Sequence, residues 1–358
     1  MRTKTFISLL IAAVLLIIVG GGIFIFFDSD SAEPGAEQSD LTLPKVRLLA
    51  EERVISPVFS GIGEYVWFMA GDGKIYRQKT DGSAPKEEIV LPEQVAGAVR
   101  VIWPVVRDPE GSSDPEREEG ENFLVEQNLD GHVRYLSYDS FNNRFTEYEA
   151  GIRNPRFLSA GDKVIYDRVT GSGAHELKIA DADGNNFAKI ADLFRPDYDF
   201  AVSPNGHEAA AWSTSQVTAA PLFLVDLFTG GFDVLGEPGF YRGAKFSPNG
   251  ARLLVSKSNQ AGISGLAVLT LSPRKASDVG LYANIEEAVW GKDSAAIWTT
   301  GVSGVLRYRI DTQEISEAFK FPEGENRRVS SLLLHPSETF FLFVDEETGF
   351  LYRADVGQ

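Results

Sequence analysis

Ser159, Ser203, Ser247, Gly291 and His335 stand 44 residues apart, each at the head of the same local pattern. Ser203-Pro-Asn-Gly leads to Ala209-Ala-Ala-Trp, and Ser247-Pro-Asn-Gly leads to Leu253-Leu-Val. Gly291-Lys-Asp-Ser leads to Ala295-Ala-Ile-Trp, and His335-Pro-Ser-Glu to Phe340-Phe-Leu-Phe, while Ser159-Ala-Gly-Asp is the weakest member. The turn has a mechanism: Pro sets the φ of the second turn position, and Asn-Gly accepts the positive φ that follows. The chain therefore reverses tightly, so that Lys245-Phe-Ser can pair with Arg252 to Lys257. A third apolar run recurs around Leu177, Leu222, Leu266, Leu306 and Leu351. A fourth, such as Phe187 to Ala191 or Phe232 to Leu235, closes each unit. Polar turns such as Thr80-Asp-Gly-Ser and Asp181-Ala-Asp-Gly-Asn separate the third run from the fourth, and Asp-Gly between strand-like runs is a hairpin signal. Helical periodicity is nearly absent after residue 40, which predicts an all-β class.

A period in the low forties made of four short antiparallel strands is that of a β-propeller blade. Blades are predicted to begin near Pro57, Arg100, Pro155, Phe200, Ala244, Ala288 and Leu332, which makes a seven-bladed β-propeller. Six blades is the alternative, because the second is the least regular. Seven periods of 44 need 308 residues, and Leu41 to Gln358 supplies 318, the excess matching an insertion in the second blade. The last blade stops after its third strand, at Leu351-Tyr-Arg-Ala-Asp-Val. Val46-Arg-Leu-Leu-Ala is predicted to supply the missing fourth, closing the ring and removing its exposed edges.

The Ser-Pro-Asn-Gly turn with its Asp-Gly partner resembles the TolB-like, WD-type repeats of bacterial extracytoplasmic propellers, over residues 57 to 358 and best in the fourth and fifth blades. The Gly-His and Trp-Asp dipeptides of the WD repeat are missing at the blade ends. The resemblance implies a scaffold that binds proteins or envelope components, and it carries over no catalytic residue.

Residues 6–27, from Phe6 to Phe27, hold no charge and are rich in Ile, Leu, Val and Phe. A helix of that length spans a hydrocarbon core of about 30 Å. Arg2 and Lys4 precede it, and five carboxylates from Asp28 to Asp40 follow. The expectation is a signal anchor with residues 1–5 in the cytoplasm, an acidic linker over 28–44, and a propeller over 45–358 outside the cytoplasmic membrane. A cleaved signal peptide is the alternative. The chain has no cysteine, so disulfides and thiol chemistry are excluded.

The formal net charge is −17, and removing residues 1–40 leaves −14, which argues against binding to a nucleic-acid backbone. The insertion 107–121 carries seven carboxylates and no apolar side chain, and is expected to be a solvated loop. His132, His175, His207 and His335 fall in four blades with no metal-ligand spacing, and no nucleophile elbow occurs, so neither cofactor nor metal is expected. The innermost strands read as mostly apolar, and on these grounds the chain is not expected to be an enzyme. Against that background Arg and Tyr recur where the chain enters each innermost strand: Arg153, Arg195, Tyr198, Tyr241, Arg242, Tyr282, Arg327 and Arg328. These residue types are enriched at binding hot spots. The predicted function is a protein–protein interaction platform gripping an acidic partner, an envelope or surface protein. The competing expectations are that each Arg pairs with Asp197, Asp199, Glu286 or Glu325, or that the central channel binds or processes a small ligand or glycan.

Overall fold

Ser60, Ser203 and Ser247 fold the same turn. The carbonyl of each accepts the backbone N–H three residues on, from Gly63, Gly206 and Gly250, at 2.8, 2.9 and 2.8 Å. Those glycines have φ of +80°, +71° and +72°, the left-handed region that a Cβ disfavours. Each Ser Oγ also accepts the N–H five residues on, from Tyr65, Glu208 and Arg252, at 3.0 Å. Gly291 and His335 open equivalent turns, in which Ser294 and Glu338 take φ of +61° and +58° without being glycine. In the third repeat the position belongs to Leu158, whose carbonyl accepts from Gly161 at 2.9 Å, and not to Ser159. The interval there is 45, and the anticipated Ser was one residue out because Leu158 offers no polar signal.

The computed structural model describes residues 46–356, apart from 61, 92–94, 96, 105–121, 140, 141, 143, 159, 160, 216, 260, 261, 323, 324 and 326. The expected anchor over 6–27, the linker over 28–44 and the acidic insertion over 107–121 all lie outside the described residues. Among the described residues no helix is long and apolar enough to cross a membrane, a finding that bears on helices alone.

The class is all-β. Four antiparallel sheets follow the chain in order: β2 (Val54–Phe59), β3 (Tyr65–Ala70), β4 (Ile75–Lys79) and β5 (Glu87–Ile89); β6 (Ala98–Ile102), β7 (Asn122–Leu129), β8 (His132–Asp139) and β9 (Arg144–Glu147); β10 (Ile152–Phe157), β11 (Lys163–Val169), β12 (His175–Asp181) and β13 (Ala188–Leu193); and β21 (Ala288–Trp290), β22 (Ala296–Thr300), β23 (Gly304–Arg309) and β24 (Ile315–Lys320). A longer sheet runs β14 (Tyr198–Val202), β15 (Glu208–Ser213), β16 (Ala220–Asp226), β17 (Phe232–Phe246), β18 (Arg252–Ser258), β19 (Ser264–Leu271) and β20 (Arg274–Tyr282). In it β17 serves twice: Phe232 to Gly239 pair with β16, and Phe240 to Phe246 with β18. The last sheet has the order β1-β27-β26-β25, from β25 (Val329–Leu334), β26 (Phe340–Asp345), β27 (Leu351–Asp355) and β1 (Val46–Ala50). The N-terminal strand thus supplies the fourth strand, as its sequence anticipates.

The cores lie between neighbouring sheets. Trp67, Met69 and Ile75 pack with Phe123, Val125 and Leu136, and Leu124 and Tyr135 pack with Val164 and Tyr166. The series ends where it began: Phe340, Leu342 and Leu351 of the last sheet pack with Ala50, Val66 and Phe68. A fully buried side chain such as Phe68 contributes about 1.5–3 kcal/mol relative to an exposed one. The β12–β13 connection at Asp181-Ala-Asp-Gly is a hairpin turn, with Gly184 N–H donating to the Asp181 carbonyl at 2.8 Å.

Candidate functional site

The eight side chains singled out in the sequence fall into three groups. Tyr198 and Tyr241 are 1% and 5% exposed and belong to the cores between sheets, which takes them out of any docking surface. Burial raises both phenol pKa values, and Tyr241 donates its hydroxyl to the Glu237 carbonyl at 2.9 Å. Arg195 and Arg327 have carboxylate neighbours, Asp197 at 3.8 Å and Glu325 at 2.7 Å, and the Arg327 guanidinium lies 4.3 Å from the Tyr352 ring centre. Arg153, Arg242, Arg328 and Tyr282 are exposed. Arg153 donates to the Pro196 carbonyl at 3.4 Å and Arg242 to Ser258 Oγ at 2.7 Å. None of these three arginines forms an ion pair among the described residues.

A second set of charges lies deeper along the innermost strands. Arg156 and Lys245 hold equivalent places, two residues before the turn positions Leu158 and Ser247. Arg156 Nη2 donates to both carboxylate oxygens of Asp199 at 2.6 and 2.8 Å, and Nε donates to the Phe200 carbonyl at 3.2 Å. Lys245 Nζ donates to the Ala288 carbonyl at 3.0 Å and stands 3.6 Å from Glu286. Each cation therefore stitches its innermost strand to that of the next repeat, and charge assistance strengthens the bond.

Glu286 shows how far these charges converge. Lys245 first, then Arg100 and Arg156, hold its carboxyl below the ordinary range against the opposing effect of desolvation. The three cations stand on β17, β6 and β10, which lie in three different sheets. Yet 70% of the Glu286 side chain is open to solvent, so the carboxylate is surrounded by protein and still wet. Tyr135, which donates to Glu126 at 3.2 Å, also lies in the field of Arg100 and Arg156, although burial is what chiefly raises its pKa. Arg100 itself is exposed and makes no hydrogen bond or ion pair among the described residues. The chemistry available is cationic: Arg156 is spent on Asp199, Lys245 is shared with Glu286, and Arg100 is spare.

Arg100, Arg156 and Lys245 stand in innermost strands whose sequence is otherwise mostly apolar, which hides them among core positions. The signal was present in Lys245 and Arg156, which stand where Val58, Val289 and Leu333 stand in other repeats. Among the described residues no group of three or more acidic or histidine side chains could hold a metal ion.

No protein-family model matches the chain, and no curated protein matches its sequence. Solved structures do match. An oligogalacturonate lyase from Vibrio parahaemolyticus is 10% identical, with 88% of this chain and 94% of that one covered and a TM-score of 0.63. The hydrazine synthase of Kuenenia stuttgartiensis is 9% identical, with 91% and 99% covered and a TM-score of 0.59. TolB from Acinetobacter baumannii is 12% identical, with 86% and 64% covered and a TM-score of 0.47. The lyase is a β-propeller, and at this identity the likeness shows the fold alone. It also corrects an expectation. An enzyme stands on this same fold over nearly its whole length, so a thin catalytic inventory is no ground for setting enzymes aside.

Proposed function

We propose that the chain is a seven-bladed β-propeller that binds an acidic partner at the end of the fold where the chain enters each innermost strand. In this reading the partner is an envelope or surface protein, and residues 6–27 tether the propeller outside the cytoplasmic membrane. Seven blades are supported by the double use of β17, which divides the long sheet at Gly239 and Phe240 into two four-stranded sets. The observation that carries the binding reading is Arg100, Arg153, Arg242 and Arg328. Four arginines from four repeats go without an ion pair among the described residues, in a chain of net charge −17. Internal carboxylates are plentiful, yet these planar five-donor forks are left open to a carboxylate from elsewhere.

The test is binding of a fluorescent poly-glutamate peptide to the full-length protein and to the Arg100→Ala, Arg153→Ala, Arg242→Ala, Arg328→Ala quadruple variant. A loss of about tenfold or more in the variant, with a shallower salt dependence, supports the reading. Equal binding by the two proteins removes it.

A second reading follows from the lyase, whose name gives it an anionic glycan as substrate. The same cationic end would accept such a chain. Incubation with oligogalacturonate, scored for both binding and cleavage, separates a docking surface from a glycan site.

A further inference from the structure

Asp167, on β11, is fully buried, and His175, opening β12, sets Nδ1 at 2.9 and 2.8 Å from its two oxygens. A carboxylate only accepts, so in the neutral imidazole this contact holds the proton on Nδ1 and leaves Nε2 as an acceptor. His175 lines an open cavity of about 330 Å³, together with Phe194, Arg195, Pro196 and Asp192. Nε2 has no partner among the described residues.

The other walls suit a particular kind of ligand. Arg195 makes no hydrogen bond among the described residues, and its only carboxylate neighbour, Asp197, stays 3.8 Å from Nε. Its N–H donors are therefore unspent. Asp192 is answered by Lys189 at 2.6 Å, which blunts its repulsion of an anion. Phe194 is 70% exposed and is held edge-on by Phe232, offering an apolar face. The cavity is close to the lower end of small-molecule sites, about 300 Å³, enough for one sugar-acid-sized molecule.

A purely structural Asp–His pair is an expensive way to fill this place. Burial drives the Asp167 carboxyl above its ordinary range, even against the pull of His175. An apolar pair of similar volume would avoid that desolvation.

We propose that this cavity binds a small hydroxy-carboxylate. The ligand carboxylate sits on Arg195, a ligand hydroxyl donates to His175 Nε2, and the carbon skeleton lies against Phe194. Asp167 is a positioning residue: it fixes the tautomer and the plane of the imidazole without touching the ligand. None of the four arginines of the acidic-partner reading lines the cavity, although Arg153 donates to the carbonyl of Pro196 in its wall, so the ligand test rests on Arg195 and His175, which that reading's variant leaves intact.

The test uses full-length protein with ¹⁵N-labelled histidine; only four histidines are present, and His175→Gln assigns the signal. Calorimetric titration with gluconate is compared with sorbitol, which lacks the carboxylate, and butyrate, which lacks the hydroxyl. Gluconate is expected to bind about tenfold or more tightly than either comparator and to shift the His175 Nε2 resonance. Arg195→Gln weakens gluconate binding by a similar factor and leaves the tautomer unchanged. Asp167→Asn changes the tautomer populations and weakens binding, with Arg195→Gln and His175→Gln deciding the matter if that variant does not fold. An unmoved His175 signal at saturating gluconate overturns the proposal, as does equal affinity for butyrate or undiminished binding by Arg195→Gln.

Discussion

Val46 pairs with Ala354, so the first strand of the fold is hydrogen-bonded to the last. The ladder runs to Ala50 opposite Leu351, both buried. Neighbouring side chains reinforce it: Arg47 and Arg353 both donate to the Thr80 carbonyl, at 3.2 and 3.0 Å, and Gln78 donates to the Leu49 carbonyl at 2.9 Å. The closing strand is thereby fastened to the sheet on its far side as well as to β27.

Ala50→Asp places a carboxylate where Ala50 is 3% exposed, inside the core shared by the last and first sheets. The expected cost is about 2–4 kcal/mol, read from the urea midpoint, while Leu48→Asp on the outward side of the same strand costs under about 1 kcal/mol. Equal costs would mean that β1 is not packed as described.

Arg156 and Asp199 are each about one-fifth exposed and share a two-pronged bond. A double-mutant cycle with Arg156→Met and Asp199→Asn should give a coupling of about 1–3 kcal/mol by denaturant unfolding. A coupling near zero would reduce the inter-repeat stitch to an ordinary surface pair.

Ser247 is fully buried and its Oγ accepts the Arg252 N–H at 3.0 Å. Ser247→Ala leaves that N–H with its only side-chain acceptor gone, at an expected cost of about 1–2 kcal/mol in thermal or urea unfolding. Leu158, in the matching position, already lacks a hydroxyl, so Leu158→Ser should not recover a comparable amount from an apolar site.

His335 stacks on Phe340 at 4.2 Å and meets Phe59 edge-on. Burial, with a smaller contribution from Arg353, holds its pKa below the ordinary 6.5 despite a hydrogen bond to the Gly63 backbone. Protonation is therefore harder in the folded chain than in the unfolded one. As the pH falls below 6.5 the unfolded state takes up its proton first, and stability declines until the folded imidazole titrates too. Unfolding measured across that window should lose this part of its pH dependence in His335→Ser, which keeps the residue found in the matching turns.

The fold was legible wherever a residue's local chemistry and its place in the architecture agree. Pro-Asn-Gly turns, Asp-Gly hairpins and alternating apolar runs marked the strand starts, and β1 was found because the last repeat lacked a strand. Leu158 was missed by one place because the backbone turn forms there without the Ser that advertises it elsewhere. The site was less legible because a side chain's type does not reveal the direction it faces. Tyr198 and Tyr241 suit a wet surface and a core equally well, and burial decided for the core. Arg156 and Lys245 stood inside strands judged apolar, where only knowledge of the neighbouring repeat shows that Asp199 and Glu286 await them. Asp167 and His175 are eight residues apart on adjacent strands, and their contact depends on a pairing register that spacing alone does not give.

The undivided strand β17 has a mechanical consequence. Between most neighbouring sheets a connecting segment separates one ladder from the next and can absorb small relative displacements. Here Gly239 pairs with Ala220 and the very next residue, Phe240, pairs with Ser258. Gly236 lies in the same strand, where a Cβ would fall 2.5 Å from the Tyr241 hydroxyl, so this close approach requires glycine. With no connecting segment at this seam, the ladder with β16 and the ladder with β18 share one continuous backbone, so a displacement of either is passed directly to the other.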